Sequence, residues 1–369
     1  MIYLDYQATT PLAPEVREVM LPWLDKFGNP HSPHRIGREA GAAIEVATAQ
    51  VASALGDGGG KGRAIFTSGA TEAANWALQG AVAGGRHKIV TIATEHACVL
   101  DTGVWLAQHG VELVVLPVLP NGLVDLDAAA AAIDDRTALV AAMLVNNEIG
   151  VIQPVAELAG MAHRAGALFF CDAVQSFGRV GLPLDSCDLV AVSAHKIHGP
   201  KGIGALWLRD GLDWPALIHG GGQQQGLRSG TLSPMLCAGF GAAAALAQDR
   251  REQDSLHLNL LSKLADDLFE DWTLNGDPLR RYPGNRNLRR DGIDANRLIS
   301  EVRDVAFAAG SACASGSGRP SHVLRALGLS DSQARGSIRL GFGRYTTQEE
   351  LREAAVLINQ AAARQLEWA

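Results

Sequence analysis

The sequence predicts an α/β protein built on a mostly parallel sheet flanked by helices, and three observations predict it. Strand-like and helix-like segments alternate between residues 63 and 208. The strand-like runs, such as "TALVAAMLV" and "ALFFC", are apolar without clean alternation, as strands covered on both faces are. Five of them end in polar, turn-rich clusters, "TSGAT", "TEHA", "NNE", "CDAVQ" and "SAHK". In open α/β sheets, ligands bind at the carboxyl ends of the strands, so these clusters predict one large site.

Taken in order, "RAIFTSGATEAANWALQGAVAG" reads as strand, turn and helix, and "HKIVTIATEHACVLDTGVWLAQHG" repeats that plan. "VELVVLPVL" is a further strand, and the alanines of "DLDAAAAAID" favour a helix. "TALVAAMLVNNEIG" and "GALFFCDAVQSFG" are strands with polar ends. "DLVAVSAHKIHGPKGIGALWL" is two short strands around a polar turn. From Pro234 to about Glu270 a helical, Ala/Leu-rich pattern bridges to a second, smaller domain that contains "NRLISEVRDVAFAAGSAC" and "GSIRLGFGRYTT". Alternation in "GSIRLGF" puts Ser337, Arg339 and Gly341 on one face and Ile338 and Leu340 on the other. "GDGGGKGR" reads as an exposed loop; it lacks the Walker spacing, so Lys61 and its glycines are weak evidence for phosphate binding. There is no internal repeat.

The 369 residues, 47% hydrophobic and 19% charged, allow about two domains with a large core. A net charge of −7 without long basic runs argues against bulk-charge binding to nucleic acid or anionic membrane. The start "MIYLDYQATTPLAP" lacks the pattern of a signal peptide, and no apolar run reaches the length of a membrane span. These features predict a soluble, cytoplasmic protein. The five cysteines are scattered and form no C-x-x-C pair, against a disulfide framework or an all-cysteine zinc site. Cys98, Cys171, Cys187 and Cys237 read as packing. Cys313 lies in "AAGSACASGSG", a run of small residues that looks like a mobile loop and offers little to bury a thiol in.

Lys196, in "DLVAVSAHKIHGPKG", follows an apolar strand. It is either a lysine leaving the core for solvent or, if desolvated, a Schiff-base nucleophile of the kind that pyridoxal phosphate (PLP) needs. PLP also needs a carboxylate at its pyridine nitrogen and a phosphate cradle. Asp172 ends "ALFFCD" and suits the first role, or else caps the next helix. Ser68, Gly69, Ala70 and Thr71 stand at a helix start and suit the second, or else serve as plain caps. Ser193 and His195 could add phosphate contacts. A turn, an aspartate and a lysine in this order, each at a strand end, form a more specific signal than any one of them.

At this point the chain resembles the cysteine desulfurases of the NifS/IscS-like branch, within the class-V aminotransferases and the fold-type-I PLP enzymes. The landmarks are "YLDYQATTPL", "FGNPHS", "TSGATEAAN", "TEHACVLDT", "NNEIGVIQP", "CDAVQSFG", "SAHKIHGPKGIG", "GLRSGTLS", "GSACASG" and "SIRLGFGRYTT", in family order along the whole chain. The resemblance implies a large PLP domain, residues 12–250, with a mostly parallel seven-stranded sheet. It implies a smaller α+β domain of residues 1–11 and 251–369. By resemblance Lys196 carries the cofactor, Asp172 pairs with the pyridine nitrogen, and His96 stacks on the ring and assists proton transfer. Gln175 and Asn147 lie near the phenolic oxygen, Asn147 also near substrate. Ala70, Thr71, Ser193 and His195 hold the phosphate, with Thr231 reaching it from the second subunit of a homodimer with shared sites. Arg339 binds the substrate carboxylate; its small neighbours leave room for a bidentate contact, although alone it would read as a surface arginine on an edge strand. His198 and Lys201 take supporting roles at most.

The implied reaction removes sulfur from L-cysteine, giving L-alanine and a persulfide on Cys313, the nucleophile. The sulfur then passes to acceptor proteins, iron–sulfur scaffolds among them. No resident metal is implied, though the Cys313 persulfide could bridge to a cluster forming on a scaffold. The alternatives are a selenocysteine lyase or small-amino-acid aminotransferase on the same fold, or a non-catalytic partner protein. Three positions depart from the pattern. Gln224 and Gln225 stand where an acidic and often a basic residue are expected, which puts subunit contacts or loop mobility in doubt. Gln7 replaces a small residue and could alter the entrance.

Overall fold

The computed structural model describes residues 1–58, 60–310 and 320–367. Its centre is a seven-stranded sheet with strands in the spatial order Gly62–Thr67, Gly204–Arg209, Leu189–Ser193, Leu168–Asp172, Thr137–Met143, Lys88–Ile92 and Glu112–Leu116. Neighbours run parallel except for Gly204–Arg209, which is antiparallel to both its partners. Thr137–Met143 and Leu189–Ser193 are buried along their whole length, which explains their continuous apolar runs.

Successive side chains serve opposite faces. Phe169 and Cys171 join a core with Val51, Leu158 and Phe240, from helices Arg35–Leu55, Val155–Arg164 and Pro234–Leu268. Phe170, between them, packs with Trp76, Leu78 and Val99, from helices Ala70–Val82 and Ala97–Ala107. The long helix Pro234–Leu268 starts where its sequence says it should. Ser233 caps it by accepting the Leu236 N–H, and Pro234 occupies the first turn, where a missing N–H costs nothing.

A second, antiparallel sheet has the order Ala308–Ala309, Ser337–Gly341, Asn285–Arg289, Thr273–Leu274. Arg339 therefore has a strand on either side, Ala308 opposite in one and Asn287 in the other, and is not on an edge. The chain's first residues join this part of the molecule. Ile2–Tyr3 pairs in parallel with Val305–Ala306, and Asp5 bridges to Gly341. No helix among the described residues is long and apolar enough to cross a membrane.

Candidate active site

The strand ends meet, as expected, in one pocket of about 610 Å3, a size typical of small-molecule sites. Ala70, Thr71, His96, Asn147, Asp172, Gln175, Ser193, His195, Lys196 and Arg339 all line it. Thr231 is exposed and lies outside the lining. Cys313 lies outside the described residues.

One end of the pocket is the start of helix Ala70–Val82. Gly69 is its N-cap and no side chain caps it, so neither Ser68 nor Thr71 acts as the plain cap that was the alternative. The first-turn N–H groups, with the helix dipole behind them, are left for an anion. The turn is braced from outside. The Ser68 N–H donates to Glu72 Oε2 at 2.8 Å, and Arg228 Nε holds Glu72 Oε1 at 2.9 Å. Gly204 makes room for the turn: a Cβ there would lie 2.8 Å from the Gly69 carbonyl carbon and 2.9 Å from the Ala70 nitrogen. Burial, and then the charges of Lys196, Lys201 and Arg179, push the pKa of His195 down to about 4. His195 is thus a neutral ring at pH 7, with Nδ1 3.2 Å from Thr9 Oγ1.

Gln224 and Gln225 tie their loop to the sheet. The Gln224 amide pairs with both backbone groups of Phe66, accepting its N–H at 2.6 Å and donating to its carbonyl at 2.9 Å. It occupies the outer edge of strand Gly62–Thr67 as a short strand would. Gln225 Oε1 accepts from Arg63 Nη1 at 2.9 Å. Where the two departures put loop mobility in doubt, the structure pins the loop on the strand that leads to the turn at Ser68 and Gly69.

Asp172 ends its strand buried, 6% exposed. Its Oδ1 accepts the Val174 N–H at 2.9 Å. Burial raises its pKa, while His96 and Lys196 pull it back towards the anion. Glu95, fully buried beside it, is pushed well above the ordinary range by burial and then by Asp172; of the two carboxyls, Asp172 is the one that lines the pocket. His96 caps helix Ala97–Ala107, and its Nδ1 accepts the Cys98 N–H at 3.1 Å. That bond uses Nδ1 as an acceptor, so Nε2 is the ring nitrogen that can donate. Cys98 also lines the pocket. Burial, with Asp172 and Glu95 nearby, pushes its thiol pKa up, so it stays protonated and a poor nucleophile.

The Lys196 ammonium donates to the carbonyls of Gln7 at 2.6 Å and Ala8 at 2.8 Å. Gln175 donates to the same Gln7 carbonyl at 2.9 Å and accepts from Arg179 Nη1 at 2.7 Å. Gln7's own amide donates to the Gly284 carbonyl at 2.9 Å and fills the space where a side chain at Gly341 would be. Arg339 is 1% exposed. Its Nη2 pairs with Asp5 Oδ1 at 2.7 Å, its Nη1 donates to the Asn147 carbonyl at 3.1 Å, and its Nε is buried without a partner. Asp5, the carbonyls of Gln7 and Ala8, and Cys98 are site groups that sequence reasoning missed. Asp5 sits in the landmark "YLDYQATTPL", which was the available signal.

These groups fit PLP: an uncapped helix start for its phosphate, a buried carboxylate for its pyridine nitrogen and an amine for its aldehyde. Comparison with known proteins agrees. Residues 2–353 match the family described as Aminotransferase class-V. The chain is 45% identical to the cysteine desulfurase IscS of Rickettsia bellii (strain OSU 85-389), over 97% of this chain and 90% of the relative. A solved NifS-like protein superposes with a TM-score of 0.90 at 31% identity, each chain covered in full. The structure of SspA in complex with cysteine gives 0.84 at 32% identity, over 94% of this chain and 100% of that one. From its fold, its pocket and these relatives, the chain belongs to the class-V aminotransferase family.

Proposed function

We propose that this protein is a PLP-dependent cysteine desulfurase, converting L-cysteine to L-alanine and leaving a persulfide on Cys313. The observation that carries the reading is the convergence, in one pocket, of the Lys196 amine, buried Asp172, the uncapped helix start and buried Arg339. When bound, PLP supplies an aldehyde that captures the substrate amine and a ring that withdraws electrons from Cα.

The chain's own residues do the rest. Arg339, which lines the pocket, binds the substrate carboxylate, with Asn147 beside it. Asp172 would face the pyridine nitrogen, whose positive charge when protonated would offset the burial that raises the Asp172 pKa. Ala70, Thr71, Ser193 and His195 hold the phosphate. Lys196, guided by the Gln7 and Ala8 carbonyls, takes the Cα proton; His96, protonated at Nε2, assists proton movement over the ring. The Cys313 thiolate then attacks the substrate sulfur. An S–S bond forms, the substrate C–S bond breaks with its electron pair going to carbon, that carbon is protonated, and Lys196 returns the proton to Cα to give alanine. Both flanks of the Cys313 segment are fixed at the pocket. Ala308 pairs with Arg339, and His322 Nε2 donates to the Glu95 carbonyl at 2.9 Å.

The test is turnover of L-cysteine. Wild-type protein should absorb in the near-visible and release alanine. Lys196→Ala should lose both properties. Cys313→Ala should lose persulfide formation, and Cys98→Ala should keep it. Full persulfide output from Cys313→Ala would overturn the assignment.

The same reading makes the protein a cytoplasmic homodimer, with residues 12–250 as the cofactor domain and residues 1–11 and 251–369 as the smaller one. Leu24, Phe27 and Val46 are exposed apolar side chains, and Thr231 is exposed outside its own pocket. A second copy would cover the first and use the second. Mixed dimers of Lys196→Ala and Thr231→Ala chains should recover one complete site; no recovery after verified subunit exchange would count against sharing. The persulfide sulfur would go to acceptor proteins, including scaffolds for iron–sulfur clusters.

A further inference from the structure

A second, smaller cavity of about 70 Å3 shares only Lys196 with the cofactor pocket among its lining residues. Its charged lining groups besides Lys196 are Arg179, Arg251, Arg344 and a single carboxylate, Asp254. Asp254 neutralises one guanidinium: Oδ2 takes Arg344 Nε at 2.9 Å and Nη2 at 2.7 Å. The Arg344 side chain is only 5% exposed, and its Nη1 is buried without a hydrogen-bond partner.

Among the described residues Arg179 meets no carboxylate: it donates to the Gln175 side-chain oxygen at 2.7 Å, the Gln175 carbonyl at 3.5 Å and the Lys196 carbonyl, and lies over the Tyr282 ring. Arg251 stands exposed at the helix Pro234–Leu268. The remaining titratable walls add no negative charge. Burial raises the Tyr6 and Tyr282 phenols and lowers His198 to about 4, leaving all three neutral at pH 7. Three guanidinium groups thus face one carboxylate in an enclosed space. Such a space concentrates anions, and a buried donor left unpaired is costly. The volume suits a few waters or one small oxyanion.

We infer that this cavity is a binding site for a small tetrahedral oxyanion of the phosphate type, held by the Arg179 and Arg251 guanidinium groups, with the buried Arg344 as the third guanidinium of its wall. The site does not depend on the reaction at Lys196. It adjoins it, since the Arg179 guanidinium that would face the anion also donates to the Lys196 carbonyl.

The experiment is calorimetric titration of the holoprotein with inorganic phosphate at fixed ionic strength, with the phosphate cradle already filled by cofactor, as its absorbance reports. The expected result is one saturable site per chain. Arg251→Gln, a change at an exposed residue, should weaken it at least about tenfold, the scale of one lost charge-assisted contact. Ser255→Asp, which places a carboxylate in the lining, should abolish it. No saturable phosphate binding, or equal binding by both variants and wild type, would overturn the inference.

Discussion

Removing the charge of Asp5 while keeping its shape separates two things that Asp5 does for Arg339. The guanidinium is buried to 1% exposure, and among the described residues its ion-pair partner is Asp5 Oδ1 at 2.7 Å. At an effective dielectric near 20, two unit charges about 4 Å apart attract by about 4 kcal/mol. Taking away one member of a buried pair typically costs about 3–5 kcal/mol, because the other charge stays buried. The Asp5 side chain is 21% exposed, so water screens part of this, and the expected loss for Asp5→Asn is at the lower end, about 3 kcal/mol. The asparagine oxygen can still accept from Nη2, so the guanidinium keeps its orientation. What it loses is the competing negative charge. A substrate carboxylate should then bind the variant better, and the KM for L-cysteine should fall several-fold while the unliganded protein becomes less stable. Urea unfolding of wild type and variant reads the first quantity, and steady-state turnover the second. A variant as stable as wild type to within about 0.5 kcal/mol, or one with a raised KM, would refute the reasoning.

Two further outcomes follow from other contacts. Gln224→Ala removes both amide contacts to Phe66 and loosens the strand leading to the proposed phosphate turn; a loss of about 1–2 kcal/mol is expected for two hydrogen bonds at a partly buried edge, with faster loss of cofactor on dialysis than from wild type. His198 titrates at about 4 in the fold, pushed down chiefly by burial, against 6.5 ordinarily. A lowered histidine pKa means that the unfolded chain takes up the proton first, so stability is full above pH 6.5 and declines between pH 6.5 and 4. The urea midpoint should fall over that window, and His198→Gln should flatten the fall, with His195 contributing the remaining slope in the same direction.

Residues that act through their own side chains at strand ends were legible in the sequence. Asp172, Ser193 and Lys196 each follow a continuous apolar run, because the sheet covers those strands on both faces and polarity can begin only where the strand leaves the core. Arg339 was assigned through the family resemblance; its small neighbours, Ser337 and Gly341, only left room for a carboxylate, and alone it reads as an edge-strand surface residue, because the strand Ala308–Ala309 that pairs with it is only two residues long. What fixes these groups was not legible. Gln7 and Ala8 act on Lys196 through backbone carbonyls, and every residue has a carbonyl, so no residue type marks the contact. Asp5 reaches Arg339 across 334 positions of sequence, a separation over which local periodicity carries no information. Gln224 looked like a lost charge because its value lies in pairing an edge strand's N–H and carbonyl together, which an amide can do and an ionised carboxylate cannot. The chemistry is therefore written in residue types, and its geometry in the folding of the N-terminal segment across the pocket. This is why Asp5→Asn, which changes one charge in that segment and no atom that meets the cofactor, is the sharper probe of how the site is built.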